Sequence, residues 1–150
     1  MTTDAKSEIS PTGILETVVY CDDLEAARGF YEQIIGLEIY SVEPDRHLFY
    51  KVGGSMLLIF NPANTSTAKV TISGATLPLH GASGPSHFAF QVQADQFDAI
   101  KANLEKRQIA IECELDWPGG GHSIYCRDPA GNSVEFATRT LWFPETKQNP

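Results

Sequence analysis

Apolar positions along the chain fall into the same rhythm twice. Residues 14–20 form a run rich in β-branched side chains, which predicts a strand. Asp22-Asp23-Leu24-Glu25 follows as a capping-box pattern, with Asp22 placed to accept from the backbone and Glu25 to reach back, so a helix is expected to start there. Leu24, Ala27, Phe30, Tyr31, Ile34 and Ile35 recur at three- and four-residue spacing and give that helix one apolar face. Gly36 stands where a left-handed terminal residue is wanted. Short strands are predicted over 37–42, 47–52 and 55–61, the last two joined at Gly53-Gly54, which suits a two-residue hairpin turn.

The second half repeats the order. A strand is expected over 86–93, a helix over 95–106 carrying Phe97, Ile100 and Leu104, and strands over 109–117, 122–127 and 132–138. The reading is therefore α+β, two βαβββ modules (about 14–61 and 86–138) within one domain over 13–143. Residues 62–85, rich in Ser, Thr, Gly, Ala and Pro, are too long for a simple turn and are expected to act as a lid or interface arm. The polar segments 1–12 and 144–150 read as tails.

Strand parity sorts the side chains, because successive residues point to opposite sheet faces. One side of 132–138 presents Ser133, Glu135 and Ala137; one side of 86–93 presents His87, Ala89 and Gln91; one side of the first strand presents Glu16, Val18 and Tyr20. The opposite sides of the two second-half strands are bulky and apolar and suit backing helices. Aligning Gly54-Ser55-Met56-Leu57-Leu58 on Gly131-Asn132-Ser133-Val134-Glu135 sets Leu58 opposite Glu135, and Glu16 falls opposite His87. If a pseudo-two-fold relates the halves, Glu16, His87 and Glu135 face one cavity. Taken alone, Glu16 reads as a solvated strand residue and His87 as a polar residue beside a turn. Together, two carboxylates and an imidazole form a set able to chelate a divalent cation. Met56, Leu58 and Phe60 share the parity of the position that lacks a ligand and are expected to form an apolar cavity wall.

Charge narrows the class of partner. Asp+Glu number 19 against 11 Lys+Arg, a net charge of -8, so nucleic-acid binding through a basic face is not expected. No stretch approaches the roughly 20 apolar residues that span a bilayer, and MTTDAKSEIS lacks the core of a secretory signal, so membrane association is not expected and a cytoplasmic protein is. Cys21, Cys113 and Cys126 contain no CxxC pair and read as reduced thiols.

The segment Ser123-Ile-Tyr-Cys-Arg-Asp-Pro-Ala-Gly-Asn-Ser-Val-Glu135 is similar to the closing hairpin of the vicinal oxygen chelate superfamily, the group of glyoxalase I, extradiol dioxygenases, fosfomycin-resistance transferases and bleomycin-binding proteins. The resemblance runs from about Ile14 to Thr138. It implies a cupped, barrel-like mixed sheet with the helices outside, a homodimer, and metal positions that here carry Glu16, Leu58, His87 and Glu135. Three ligands remain, because Leu58 cannot ligate, and Glu16 stands where relatives with three protein ligands typically have His. The second carboxylate hardens the site, favouring Fe²⁺ or Mn²⁺, with Ni²⁺, Zn²⁺ or Mg²⁺ as further candidates. The implied activity is that of a metal-dependent enzyme acting on a small molecule through two adjacent oxygens. Ring-cleaving dioxygenase ranks slightly ahead of a glyoxalase-like lyase or isomerase, and thiol transfer third. Tyr125 has a spacing from Glu135 similar to that of the active-site tyrosine of extradiol dioxygenases and is the expected proton carrier, with His47, His80 and His122 as further candidates. The substrate-binding set is Met56, Leu58, Phe60 and Gln91. The alternative is a metal-free protein that sequesters a drug or metabolite, as bleomycin-binding relatives do, which the acidic charge suits.

Overall fold

The structure is a computed structural model that describes residues 11–144 together with Ile9; most of the two expected tails lies outside the described residues. The first module runs β1 (Glu16–Tyr20), α1 (Leu24–Arg28), a wider π-helical continuation (Gly29–Ile34), β2 (Ile39–Glu43), β3 (His47–Val52) and β4 (Ser55–Phe60). A short α2 (Pro62–Thr65) and a two-residue-strand hairpin, β5 (Thr71–Ile72) and β6 (Ala75–Thr76), occupy the linker. The second module runs β7 (His87–Val92), a 3-10 turn (Ala94–Gln96), α3 (Phe97–Lys106), β8 (Cys113–Asp116), β9 (His122–Arg127) and β10 (Ser133–Thr138).

Each module folds into its own four-stranded sheet, ordered β1-β4-β3-β2 and β7-β10-β9-β8, and the two are not hydrogen-bonded into a closed barrel. The outer pair is parallel in both, with the same register. Val18 pairs with Leu58 two residues after Glu16 pairs with Met56; Ala89 pairs with Glu135 two residues after His87 pairs with Ser133. The alignment of Leu58 on Glu135 and of Glu16 on His87 is thus an equivalence of position within the sheets.

Local chemistry accounts for the element ends. Asp23, one residue later than expected, caps α1 by accepting from Ala26 N at 2.9 Å. Gly36 (φ +85°) and Gly131 (φ +85°) adopt the left-handed conformation that their turns require. The strand expected to begin at Ile14 begins at Glu16, and Ile14 and Leu15 are exposed. The strand expected from residue 109 is shorter, because Ile109 and Ile111 pack on the core before β8 starts at Cys113.

One core spans both modules: Val19, Phe30, Tyr31, Leu48, Tyr50, Leu57 and Ile59 from the first, and Phe90, Phe97, Leu104, Ile124, Val134 and Phe136 from the second. The Asp128-Pro-Ala-Gly-Asn132 turn fastens them. Asp128 Oδ2 accepts from Tyr31 Oη at 2.7 Å, and Asn132 Nδ2 donates to the Tyr20 carbonyl at 3.2 Å. Burial of this core leaves the other face of each sheet free for chemistry.

Candidate functional site

On the second sheet, parity brings His87, Glu135 and Tyr125 to one face, with Tyr125 directly across from Glu135 in the antiparallel β9/β10 pair. Glu135 is almost fully buried while half of the His87 side chain is exposed, and His87 Nε2 lies 3.2 Å from Glu135 Oε2. A chain of hydrogen bonds aims the carboxylate. Trp117 Nε1 donates to Ser123 Oγ at 2.9 Å, and Ser123 Oγ donates to Glu135 Oε1 at 2.7 Å. The sequence reading gave no role to Ser123 or Trp117, which orient the candidate carboxylate. Ser123 lies two residues before Tyr125, so strand parity held the signal for it.

The imidazole is fixed in the same manner. His87 Nδ1 lies 3.0 Å from the Ser133 carbonyl oxygen, which can only accept, so Nδ1 carries the hydrogen. In a neutral ring Nε2 then presents its lone pair to Glu135 Oε2. Two lone pairs facing at that distance must share something between them, a proton or a metal ion. The donor set, one carboxylate oxygen and one imidazole nitrogen with both partners oriented from behind, fits a divalent cation. Tyr125 stacks beside His87 with ring centroids 5.9 Å apart. Burial first, then the Glu135 carboxylate, pushes its phenol up to about 12, so at neutral pH it holds its proton.

Glu16 does not join this pair within the chain. Among the described residues no three His, Cys, Asp or Glu side chains are grouped to hold a metal ion. Parity put each residue on the correct face, but each face belongs to its own sheet, and the two sheets do not close into the single cup that would bring all three residues together. Glu16 instead lines a hollow of about 610 Å³ on the first sheet, together with Val18, Tyr20, Leu58 and Phe60. The expected substrate-binding residues are divided. Leu58 and Phe60 line that hollow, Met56 lies in a small cleft with Phe88 and Phe90 between the modules, and Gln91 lies in a shallow groove beneath Trp142 and Phe143. His47 and His80 also line the hollow. His122 is on the opposite side of β9 from Tyr125, its Nε2 3.0 Å from Glu114 and its Nδ1 2.8 Å from Asp116.

Paired βαβββ modules, each a four-stranded mixed sheet with its own helix, define the fold class. Residues 13–136 match the Glyoxalase/Bleomycin resistance protein/Dioxygenase superfamily, and the chain belongs to it. A lactoylglutathione lyase from Agrobacterium tumefaciens is similar at 41% identity over 89% of this chain and 98% of that one, with a TM-score of 0.80. A mutant of the fosfomycin resistance protein FosX from Listeria monocytogenes, complexed with Mn(II) and a dihydroxypropylphosphonic acid, is similar at 18% identity over 93% of this chain and 100% of that one, with a TM-score of 0.66. A glyoxalase/bleomycin resistance protein/dioxygenase from Nocardioides is similar at 20% identity over 95% of this chain and 91% of that one, also with a TM-score of 0.66. The last two likenesses show the fold alone. Comparison with curated proteins finds no match. Among the described residues no helix is long and apolar enough to cross a membrane.

Proposed function

We propose that the chain is a divalent-metal-dependent enzyme of the glyoxalase-like lyase or isomerase kind, acting on a small molecule through two adjacent oxygens. The observation that carries this reading is the His87–Glu135 pair, with Nδ1 committed to the Ser133 carbonyl and Nε2 facing a carboxylate 3.2 Å away. The ranking of ring cleavage ahead of lyase chemistry is not supported, since the relative at 41% identity is a lactoylglutathione lyase.

His87 and Glu135 would hold the metal, with Glu16 of the partner subunit as the third ligand in a homodimer. Glu16 and His87 are both exposed on their sheets, and Leu79 and Trp142 leave apolar surface that a second copy would cover. Two carboxylates with one imidazole favour Fe²⁺ or Mn²⁺. A bound ion would hold the substrate's two oxygens and offset negative charge as it develops on them. Tyr125, keeping its proton at neutral pH, serves as a donor to a substrate oxygen. Ser123 and Trp117 hold Glu135 in place, and the Ser133 carbonyl holds His87. Leu58 and Phe60 would wall the substrate, with Met56 and Gln91 at its margins. The protein would act in the cytoplasm.

The first activity to assay is conversion of a glutathione hemithioacetal of a 2-oxoaldehyde to its thioester, with Mn²⁺ or Fe²⁺ added. Turnover lost in Glu135→Gln and reduced in Tyr125→Phe supports the reading; turnover equal in wild type and Glu135→Gln contradicts it. Metal-free sequestration is a second reading, favoured by the apolar wall at Leu58 in place of a ligand. A protein that takes up none of these ions, yet still binds small molecules, would favour sequestration.

A further inference from the structure

The first-sheet hollow has polar groups of its own that the metal reading does not use. Tyr20 Oη and His80 Nδ1 are 2.8 Å apart, joining β1 to the linker across 60 residues, and the His80 backbone N–H donates to the Thr65 carbonyl at 3.1 Å. Val70, Ile72, Leu77 and Pro78 of the same linker complete the lining over Val18, Leu58 and Phe60. The segment expected to be a lid is therefore a strap across the first sheet, pinned at His80.

The walls are aromatic. His47 stacks on Phe49 at 3.8 Å between centroids, and Phe60 meets Phe49 at 5.3 Å and His80 at 4.8 Å edge-on. A hollow of about 610 Å³ lies within the size range of small-molecule sites. Whichever of Tyr20 and His80 donates to the other, the pair retains one free donor and one free acceptor, on Tyr20 Oη and His80 Nε2.

Charge selects the ligand. Glu16 and Glu43 line the hollow. Arg46, which supplies the one guanidinium among the described lining residues, has Nη1 donating to Asn64 Oδ1 at 2.6 Å and Nε 3.8 Å from Glu43. Burial holds the His47 imidazole below its ordinary value, so it brings no charge at neutral pH. In the metal-free chain, an anionic ligand would meet two carboxylates against one guanidinium among the described residues that line the hollow, and that guanidinium is already engaged by Asn64 and Glu43.

We infer that the hollow beneath the 66–80 strap is a binding site for a planar aromatic group that carries no negative charge and bears a hydroxyl or carbonyl, which the Tyr20–His80 pair recognises. The inference rests on the substrate wall proposed above at Leu58 and Phe60 and names only the group seated in the hollow, an aromatic one without negative charge, while a charged remainder of the substrate would lie outside it; its test needs neither the metal nor a second copy.

The test uses the full chain and N-phenyl-1-naphthylamine, an uncharged fluorescent aromatic. Saturable brightening is expected, with displacement by 1-naphthol; 1-naphthoate, the same rings carrying a carboxylate, should displace at least about tenfold more weakly. His80→Ala should weaken 1-naphthol about fivefold and leave naphthalene unchanged. Leu58→Trp fills the hollow and should abolish dye binding. Val18→Trp, on an exposed edge strand, does the same should the first variant fail to fold, as judged by circular dichroism. Glu135→Gln should bind the dye as wild type does, so a failed metal reading leaves this result standing. Dye binding that survives Val18→Trp, a naphthoate as good as naphthol, or the absence of saturable binding would overturn the inference.

Discussion

The Tyr31 hydroxyl donates to Asp128 Oδ2 at 2.7 Å across 97 residues, fully inside the protein, and so ties the first helix to the closing turn of the second module. Asp128 also accepts from Ala130 N, Asn132 N and Asn132 Nδ2, at 3.0, 2.8 and 2.9 Å. Tyr31→Phe leaves those three donors in place and is expected to destabilise the fold by about 1 to 3 kcal/mol. Urea unfolding of the two proteins measures this; equal midpoints would mean that the bond does not hold the modules together.

Buried thiols make the fold sensitive to alkali. Burial pushes the Cys21 thiol up from 9.0 to about 11 and the Cys126 thiol up to about 12. A group whose folded value is raised keeps its proton in the native state while the unfolded chain releases it. Its contribution is fully present below about pH 9 and is lost as pH rises through the folded values. Thermal midpoints should therefore fall between about pH 9 and pH 12, and Cys126→Ala should flatten that fall. A decline of equal slope in both proteins would remove Cys126 from the explanation.

Ser123 is the residue whose removal separates orientation from ligation. Ser123→Ala takes away the donor to Glu135 Oε1 and the acceptor for Trp117 Nε1. Loss of such a supporting partner typically lowers metal affinity about 10- to 100-fold. Calorimetric titration with Mn²⁺ should show that loss in a folded protein; unchanged affinity would mean that the carboxylate needs no such orientation.

Gly121 allows a close approach. Its φ is +100°, and a Cβ there would lie 2.8 Å from both the Cα and the backbone nitrogen of Leu141. Gly121→Ala should destabilise the protein by about 2 kcal/mol or more, through backbone strain and the clash together. A variant with an unaltered melting temperature would mean that the Leu141 segment shifts freely.

Much of this architecture could be read from the chain, since its causes are local. Alternation on β7 and β10 separated His87 and Glu135 from Phe88, Phe90, Val134 and Phe136, and the Asp128–Gly131 turn marked the hairpin. The repeat of register that makes Leu58 the counterpart of Glu135 was visible in a short alignment. What eluded the sequence depends on distant segments. Parity assigns Glu16 to a face but does not set the angle between two sheets. The Tyr20–His80 contact follows from the path of a strap with little periodicity, and the Tyr31–Asp128 bond from helix packing. Met56 shares parity with Leu58 yet lines the cleft that also holds Phe88, Ala89 and Phe90 of β7.

The central claim is that a metal ion binds between His87 and Glu135. Elemental analysis of full-length protein, loaded with Mn²⁺ or Fe²⁺ and then freed of excess by gel filtration, addresses it most directly. The account predicts retained metal in the wild type, little or none in Glu135→Gln, and the same circular dichroism in both. Full retention by Glu135→Gln, or none by the wild type, would contradict it.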